Sequence, residues 1–566
     1  MMKTVCAASV ILLILLSNNC STLKILVNVS GITKSIIMYH THMACMLSQR
    51  GHDVTILNLL FNGKIDDIQN SCNCSQIDYV AEDNNPSTHS ILPEFVQSWA
   101  YSHERTAKIY EAIPVYKIVN LRVCNMYGKD RWLLTHLMDA GFDIGLSTTF
   151  DLCSMNLFNM LNIPAVWTSS GTYMLNFMAE AMELPKVPAY APDPVTYLTD
   201  RMTFSERTWH ALHTAYLYYK NNEPNNMFDE ALRLIQQYNA SVKESYSVQS
   251  RKLWPLTLNG VSIIDFPRPI THKVAYLGTL DRKQTKSREA KNFSAASGEK
   301  SLPEEMKIFI SKFKKGFIMF SFFHLFQEMK IFISKFKKGF IMFSFGTQCQ
   351  TTFMPDDMRW SFIEAFQKFN PDYGVLWKVT EVFPLPKTAS NVKLFTWLPQ
   401  KQLLRHSKLA LFITHGGYNS LLESSDAGVP ILLIPLFLDQ FGNAERAVRL
   451  GFALALQKSD ITVSSVTESI NTLLNCTTCR ERATKVSQMI ADEPISSADR
   501  FIHLVESSHR HHKYFTRNGN LPHRLNFAQY YCLDIIASAI IIVTGLIAAI
   551  IFAIKVTISS LFHKKK

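Results

Sequence analysis

Short apolar runs alternate with amphipathic stretches along most of the chain, a pattern typical of α/β domains built on parallel sheets. Near the amino terminus, residues 24–29 and 53–59 predict two strands. Residues 35–50 between them predict an amphipathic helix, which Gly51 ends. Further along, residues 409–414 form another apolar run of strand length. The pattern therefore predicts an α/β fold.

The stretch from residue 397 to residue 440 has the strongest chemical signal. After the strand at 409–414, a Gly-Gly pair breaks the apolar run and helical periodicity begins near Asn419. Glycines let the backbone approach a ligand closely, and the free N–H groups at a helix start favour a diphosphate. A second strand at 429–434 leads into another loop and helix. Both loops should open at the carboxyl ends of neighbouring parallel strands, where such folds bind ligands.

The order and spacing of polar residues in this stretch resemble a known signature. The residues are Trp397, Pro399, Gln400, Thr414, His415, Gly416, Gly417, Asn419, Ser420, Glu423, Gly428, Pro430, Pro435, Asp439 and Gln440. Together they resemble the UDP-glycosyltransferases, above all the membrane-bound UDP-glucuronosyltransferases of animals. The resemblance implies two Rossmann-like domains that face each other across a cleft, the GT-B arrangement. It also implies transfer of a sugar, with glucuronate expected, from a UDP-sugar to a small lipophilic acceptor with inversion.

The resemblance divides the chain into regions. Residues 21–280 are expected to form the acceptor-binding domain and residues 339–490 the UDP-sugar-binding domain. Residues 281–338 are expected to link the two domains. Residues 491–530 are expected to contain a helix that crosses back over the first domain and then leads to the membrane.

Several residues suit the parts of a UDP-sugar. Trp397 offers a flat face for uracil, and Gln400 can hydrogen-bond the edge of the base. His415 lies at the diphosphate end, where an imidazole would stabilise charge on departing UDP. The resemblance assigns the phosphates to Asn419 and Ser420, the ribose hydroxyls to Glu423, and the sugar hydroxyls to Asp439 and Gln440. The candidate donor site also includes Thr347, Lys378, Thr414, Gly416 and Gly417. No metal or other cofactor is expected, and UDP-glucuronate or another UDP-sugar is the expected co-substrate.

The acceptor side departs from the family pattern. Inverting transfer needs a base for the acceptor hydroxyl, and the family commonly uses a histidine oriented by an acidic residue. Ile36 stands at the expected histidine position and Thr148 at the expected acid position. His40, one helical turn further on, is the candidate substitute base. His42 and Asp151 are weaker candidates for base and partner.

Three functions stay open at this stage. The chain is an enzyme for acceptors that need little base assistance, a UDP-sugar-binding pseudoenzyme that partners active relatives, or a lipid carrier. Loss of a general base costs roughly 10²–10⁴-fold in rate, which slows catalysis without abolishing it. Association into homo- or hetero-oligomers with related enzymes is a further expectation.

Two apolar segments predict the cellular location. Residues 1–20 are typical of a signal peptide, which directs the chain to the endoplasmic reticulum. Residues 535–554 contain no charge and are long enough to span a bilayer. Lysines follow the span, so residues 555–566 are predicted to be cytosolic and the catalytic domains lumenal in a single-pass type I protein. In that compartment Asn28, Asn73, Asn239, Asn292 and Asn475 fit the glycosylation pattern, although Asn28 follows a core strand and is expected to be buried.

Composition excludes other partners. The formal net charge is +12, but the basic residues are scattered without an array of basic and aromatic residues, so nucleic acid is not an expected partner. The eleven cysteines lack a second ligand pair at zinc spacing, which favours disulfides or free thiols.

An eighteen-residue sequence occurs twice. Residues 305–322 and 328–345 are both EMKIFISKFKKGFIMFSF. Only the second copy leads into Gly346 and Thr347, so only that copy is expected to supply the first strand of the second sheet. The first copy is interpreted as a local duplication or a faulty gene model, since repeat folds usually need at least three units.

Overall fold

The structure is a computed structural model. It describes residues 22–30, 34–60, 72–80, 97, 100–102, 109–172, 174–185, 187–221, 227–238, 255–280, 316–518, 527–530 and 532–563. The predicted signal peptide lies outside these residues, as do Asn239 and Asn292. The chain divides into two compact units, residues 1–510 and residues 511–566.

The first unit contains two parallel sheets. The amino-terminal sheet has the order β3-β2-β1-β4-β5-β6-β7. Its strands are β1 (Lys24–Ser30), β2 (Asp53–Leu60), β3 (Ser75–Val80), β4 (Ile144–Thr148), β5 (Ala165–Ser169), β6 (Leu256–Leu258) and β7 (Val274–Tyr276). The order reverses between β1 and β4, and ligands of open α/β sheets bind at such a switch point.

Helices cover the first sheet because strands buried on both faces need apolar partners. They are α1 (Lys34–Gln49), α2 (Ile109–Lys129), α3 (Arg131–Ala140), α4 (Ser154–Met160), α5 (Asn176–Ala181), α6 (Phe204–Asn221) and α7 (Met227–Tyr238). Helix α1 places Ile37, Met43 and Leu47 in the core against β1 and β2. The predicted strand, helix and strand at the start of the chain therefore match the observed elements to within one residue at each end.

The second sheet has the order β10-β9-β8-β11-β12-β13 and is also parallel. Its strands are β8 (Gly339–Ser344), β9 (Tyr373–Lys378), β10 (Val392–Phe395), β11 (Leu409–Thr414), β12 (Ile431–Leu433) and β13 (Ala453–Ala455). The helices of this half are α8 (Gly316–Ser334), α9 (Asp356–Gln367), α10 (Gln400–Leu404), α11 (Tyr418–Ala427), α12 (Gln440–Leu450), α13 (Val463–Asn475) and α14 (Thr477–Ala491). The expected class of two parallel-sheet α/β domains is confirmed.

Helix α15 (Ser497–Asn518) begins after the second domain and returns to the first. Its residues Phe501, Ile502 and Val505 lie in the core that contains β1 and α1. Arg500 donates a hydrogen bond to the Tyr276 carbonyl at the end of β7 (2.7 Å). These contacts attach the end of the second domain to the first sheet.

The two copies of the repeated sequence fold differently. Residues 316–321 of the first copy lie in α8, while the same six residues of the second copy form β8 at 339–344. The carboxyl-terminal half of α8 packs Met329, Phe332 and Ile333 into the core of the second sheet. The expected linker at 281–338 therefore includes a helix that belongs to the second domain.

The second unit contains α16 (Phe527–Tyr530) and α17 (Leu533–His563). Within α17, residues Leu533–Ile558 are long and apolar enough to cross a membrane, and none of this surface is buried. The predicted span at 535–554 lies inside this helix.

Disulfides join Cys45 to Cys72, Cys124 to Cys153 and Cys476 to Cys479. Asn28, in contrast to a surface glycosylation site, is fully buried and donates to Asp151.

Candidate donor and acceptor sites

The glycine turn after β11 gives His415 its position. Gly416 has a φ of +84°, which favours glycine, and a Cβ there would lie 3.3 Å from the Gln440 carbonyl oxygen. A Cβ on Gly417 would lie only 2.7 Å from Nε2 of His415, and one on Gly346 only 2.6 Å from Cε1. The imidazole therefore occupies a slot between two glycines at the carboxyl edge of the sheet.

His415 is neutral in this slot. Its side chain is 9% exposed, and Nδ1 is hydrogen-bonded to the Thr414 hydroxyl at 3.1 Å. Burial and the nearby charge of Lys378 lower the pKa of His415 to about 3. A neutral imidazole can still donate its N–H to a phosphate oxygen, and an anion bound there would raise the pKa again. Thr414 is fully buried, and its hydroxyl is hydrogen-bonded to the His415 imidazole and is not exposed to solvent.

Lys378 and Trp397 form the next part of the site. Lys378 ends β9, and its ammonium donates to the Gly346 carbonyl at 2.8 Å. The same ammonium lies 5.9 Å from the centroid of the Trp397 ring. Trp397 is 42% exposed. The Lys378 ammonium thus lies over the partly exposed indole and next to Gly346, which lines the His415 slot.

Gln400 connects the start of α10 to the start of α11. Its amide donates to Ser420 Oγ at 3.2 Å and to Glu423 Oε2 at 2.8 Å. Glu423 also lies 3.9 Å from the ammonium of Lys401. Burial raises the pKa of Glu423, against the opposing charge of Lys401. Three residues predicted to bind the nucleoside and phosphates are therefore brought together.

Asn419 is bonded to the other domain. Its Oδ1 accepts a hydrogen bond from Nδ2 of Asn259, which follows β6, at 3.0 Å. The Asn259 amide also donates to the Ser170 carbonyl after β5 at 3.3 Å. The first domain therefore reaches the residue that the resemblance assigns to phosphate.

Asp439 and Gln440 are held in different ways. The Gln440 Oε1 atom accepts the backbone N–H groups of Leu436 (2.8 Å) and Phe437 (3.1 Å), so this oxygen shapes the loop and only the amide nitrogen remains for a sugar. Asp439 Oδ2 accepts a hydrogen bond from Asn443 Nδ2 at 2.7 Å. Burial raises the pKa of Asp439, while the bond from Asn443 opposes the rise. Thr347 lies exposed in the turn after Gly346, and its part in binding stays a prediction.

The acceptor side has apolar or fully bonded groups where a base is needed. Ile36 is 4% exposed and Thr148 is fully buried. His40 is also fully buried: Nδ1 lies 2.8 Å from the Ile36 carbonyl oxygen, and Nε2 lies 2.5 Å from the Thr168 hydroxyl. The carbonyl can only accept, so in the neutral ring Nδ1 donates and Nε2 has only a lone pair to offer. The single proton of the Thr168 hydroxyl is shared between that lone pair and the Ser147 carbonyl, which lies 3.0 Å from Thr168 Oγ1. Burial lowers the pKa of His40 to about 4. This enclosed geometry does not favour His40 as a general base, and its role in catalysis stays a prediction.

Asp151 has a structural role in this region. Its carboxylate accepts from Asn28 (2.8 Å) and Tyr127 (3.1 Å) and from the backbone N–H groups of Cys153 and Ser154 (both 3.0 Å). Burial raises its pKa to about 6. These bonds fix the start of α4, and none of them involves a histidine. His42 is only half-buried, and burial together with the charge of Lys401 lowers its pKa to about 4.

Comparison with protein families agrees with this geometry. The sequence model of the family described as UDP-glucoronosyl and UDP-glucosyl transferase matches residues 24–303 and 321–566. The chain belongs to this family. The unmatched residues 304–320 lie almost entirely within the first copy of the repeated sequence.

Named relatives cover most of this UDP-glycosyltransferase. It is 27% identical over 536 residues to the Caenorhabditis elegans protein ugt-60, assigned by name to the UDP-glucuronosyltransferases, with 93% of this chain and 97% of that one covered. It is 27% identical to UDP-glucuronosyltransferase 1A8 of Rattus norvegicus, over 74% of this chain and 70% of that one. It is 25% identical to human 2-hydroxyacylsphingosine 1-beta-galactosyltransferase, over 94% and 88%.

Solved glycosyltransferase structures share the fold. A UDP-glucosyltransferase from Polygonum tinctorium aligns over 87% of this chain and all of its own, with a TM-score of 0.52 at 14% identity. UGT2 of Phytolacca americana, solved with UDP-2fluoro-glucose and pterostilbene, aligns over 86% and 99% with a TM-score of 0.53 at 13% identity. At this identity the likeness concerns the fold, which is the GT-B arrangement of this family.

Two polar residues of the UDP-glycosyltransferase site were not found from the sequence. Asn259 lies 160 positions from Asn419, so its contact depends on how the two domains meet. Asn443 is closer to the signature, four residues after Asp439 and on the same face of α12. That spacing was a usable signal for Asn443, whereas no local pattern indicates Asn259.

Proposed function

We propose that this protein transfers a sugar, glucuronate being the expected one, from a UDP-sugar to a small lipophilic acceptor with inversion at the anomeric carbon. The observation that carries the proposal is the convergence of Trp397, Lys378, His415 and Asp439 along one edge of the second sheet. Trp397 suits the base and Lys378 the diphosphate. His415 suits the oxygen that leaves with UDP, and Asp439 suits the sugar ring. Membership of the family supports the same assignment.

In the proposed reaction the acceptor oxygen or nitrogen attacks the anomeric carbon while the bond to the UDP oxygen breaks. Negative charge grows on the departing diphosphate, where the neutral His415 donates a hydrogen bond and Lys378 provides positive charge. A buried donor that is already oriented does not have to reorganise as the charge develops.

The acceptor class follows from the missing base. With Ile36, Thr148 and a fully bonded His40, no side chain at these positions can take a proton from an alcohol. Phenols, carboxylates and amines are partly ionised or already nucleophilic, and so lose less when base assistance is absent. The lipophilic character of the acceptor is supported by similarity to the human galactosyltransferase, whose name gives a sphingolipid acceptor.

A second candidate function is UDP-sugar binding without transfer, in association with active relatives. The same observation favours it: the donor side keeps its polar groups while the acceptor side has lost both members of the usual dyad. The two candidates differ in turnover and not in donor affinity.

We propose that the protein is a single-pass type I protein of the endoplasmic reticulum membrane with its two domains in the lumen. The apolar part of α17 supports one membrane crossing. The disulfides support an oxidising compartment.

The experiment combines binding and product detection. Purified full-length protein in detergent is titrated with UDP by calorimetry. It is then incubated with UDP-glucuronate, UDP-glucose or UDP-galactose and a panel of phenol, amine, carboxylate and alcohol acceptors, with products detected by mass spectrometry. Glycosylated phenols or amines that are absent with His415→Ala support transfer. UDP affinity without product from any pair supports the second candidate, and no affinity for UDP would refute both.

A further inference from the structure

A buried polar chain runs from the first domain to the candidate sugar-binding carboxylate. It begins at Asp265, in the segment between β6 and β7, whose Oδ1 pairs with Nε of Arg446 on α12 at 2.9 Å. Neither side chain is exposed by more than 1%. The second carboxylate oxygen accepts the Tyr276 hydroxyl at 2.6 Å. The Asp265 carboxylate of the first domain is thus buried in an ion pair with Arg446 of the second domain.

From Arg446 the chain continues along one face of α12. Nη1 of Arg446 donates to Asn443 Oδ1 at 3.3 Å. The Asn443 amide donates to Asp439 Oδ2 at 2.7 Å and to the Gly416 carbonyl at 3.0 Å. Asp439, Asn443 and Arg446 are spaced four and three residues apart, so they share a face of the helix.

We propose that Asp265, Arg446 and Asn443 act as positioning residues that aim the Asp439 carboxylate at the donor sugar. The inference rests on the proposed function, in which Asp439 binds sugar hydroxyls. Asp265 fixes the plane of the guanidinium, the guanidinium selects the orientation of the Asn443 amide, and the amide NH₂ then holds Asp439 and the glycine turn together. Sugar recognition is thereby coupled to the contact between the two domains.

The arrangement does more than join two surfaces. A buried ion pair contributes little net stability relative to apolar residues of similar size, because both charges lose water. This pair is also braced from other directions, since Arg449 donates to the Asp265 carbonyl at 2.7 Å and the Phe266 ring lies 4.9 Å from the Arg446 guanidinium carbon. These contacts fix the orientation of the Arg446 guanidinium, which in turn orients Asn443 toward Asp439.

A second ion pair between the two domains provides a matched control. Arg449 on α12 also pairs with Asp200 of the first domain at 3.0 Å. Arg449 reaches Asp265 only through the Asp265 backbone carbonyl, and neither member of this pair contacts Asn443 among the described residues. Asp200→Asn removes one ion pair between the domains and leaves the polar chain intact. Asp265→Asn removes the charge of the other pair and weakens the polar chain at its start.

The test compares UDP with UDP-sugar. Dissociation constants for UDP and for UDP-glucuronate are measured by calorimetry on full-length protein carrying Asp265→Asn, Asp200→Asn or neither. Asp265→Asn should weaken UDP-glucuronate at least about tenfold, the effect of losing a hydrogen bond to a charged group. It should change UDP affinity less than about threefold, because UDP lacks the transferred sugar that Asp439 is proposed to bind. Asp200→Asn should change neither.

A second variant covers loss of folding. Asn443→Ser shortens the link inside α12 without touching the ion pair between the domains, and it should produce the same selective loss. An equal loss for UDP and UDP-glucuronate in Asp265→Asn or Asn443→Ser would overturn the inference in favour of a general interface role. Unchanged UDP-glucuronate affinity in both would also overturn it. If the unaltered protein binds UDP but neither variant acts selectively, the proposed function stands and only the positioning role fails; if it binds no UDP, both are refuted.

Discussion

Replacing Trp397 by alanine tests whether the exposed indole is the seat of the uracil base. Trp397 belongs to none of the hydrophobic core clusters of the described residues, and it is 42% exposed to solvent. Its removal should therefore change binding far more than folding. Trp360 on α9 is a matched control, since it is 47% exposed and lies on a helix that carries none of the candidate donor residues.

The expected magnitude follows from two opposing contributions. Stacking of a base on an aromatic ring is worth about 1–3 kcal/mol by alanine substitution. The ring also holds the Lys378 ammonium at 5.9 Å, an exposed cation–π contact worth about 0.5–1 kcal/mol. Removing the ring frees that ammonium for the diphosphate and offsets part of the loss. The net effect should be near 1.4 kcal/mol, so the Kd for UDP should rise about tenfold.

Calorimetric titration with UDP and with inorganic pyrophosphate distinguishes the base from the diphosphate. Trp397→Ala should weaken UDP about tenfold and leave pyrophosphate unchanged or slightly tighter. Trp360→Ala should affect neither ligand. The reasoning is refuted if Trp397→Ala binds UDP as well as the unaltered protein, or if both ligands weaken together.

Other expectations concern the reaction, stability and chain organisation. His415→Gln should lower turnover by about 10²–10³-fold with little change in KM, because the lost hydrogen bond acts mainly as charge develops; steady-state kinetics would contradict this if KM alone moved. Burial lowers the pKa of His40 from 6.5 to about 4, so between these pH values His40 is protonated in the unfolded state but not in the folded state. The free energy of unfolding therefore falls as the pH drops through this range. Between pH 7 and pH 4 the free energy of unfolding should therefore fall by about 3 kcal/mol more in the unaltered protein than in His40→Gln. Denaturant titrations at several pH values measure this difference. If the free energy of unfolding of both proteins changed in parallel with pH, the lowered pKa of His40 would be wrong. Ile36→His combined with Thr148→Asp should raise turnover of alcohol acceptors at least about tenfold and that of phenols less, with Thr148→Asp alone as the control. Deleting residues 305–327 should leave the melting temperature within a few degrees and UDP affinity within about twofold, and a collapse of either would show that the first copy is needed.

The positions of the candidate donor residues in the fold were largely predictable because these residues are close together in sequence. The strand at 409–414 has the predicted bounds, and the helix begins at Tyr418, one residue before the predicted start. A glycine turn between a buried strand and a helix has few alternative conformations, so spacing alone places His415 at the carboxyl edge of the sheet. The same logic placed Asp439 in the loop that follows the neighbouring strand.

Contacts over long sequence distances were not predictable from one sequence. Asp265 meets Arg446 across 181 positions, and neither residue belongs to a local motif. His40 shows the same limit on a smaller scale. Its helical spacing from Ile36 was correct, but spacing does not say that β5 would place Thr168 against a fully buried imidazole.

The repeated sequence shows why local pattern alone could not decide the middle of the chain. The residues GFIMFS occur in α8 and again as β8, so the six letters fit both a helix and a strand. Phe, Ile and Met tolerate either backbone when buried, and a short apolar run carries no period that separates the two. What differs is the neighbourhood: the second copy lies between β9 and β11, and its backbone completes two parallel ladders. Only one copy can occupy that place, because the strand must end where Gly346 and Thr347 begin the donor loop. The copy next to that loop becomes the strand, and residues 316–321 of the other copy lie in α8.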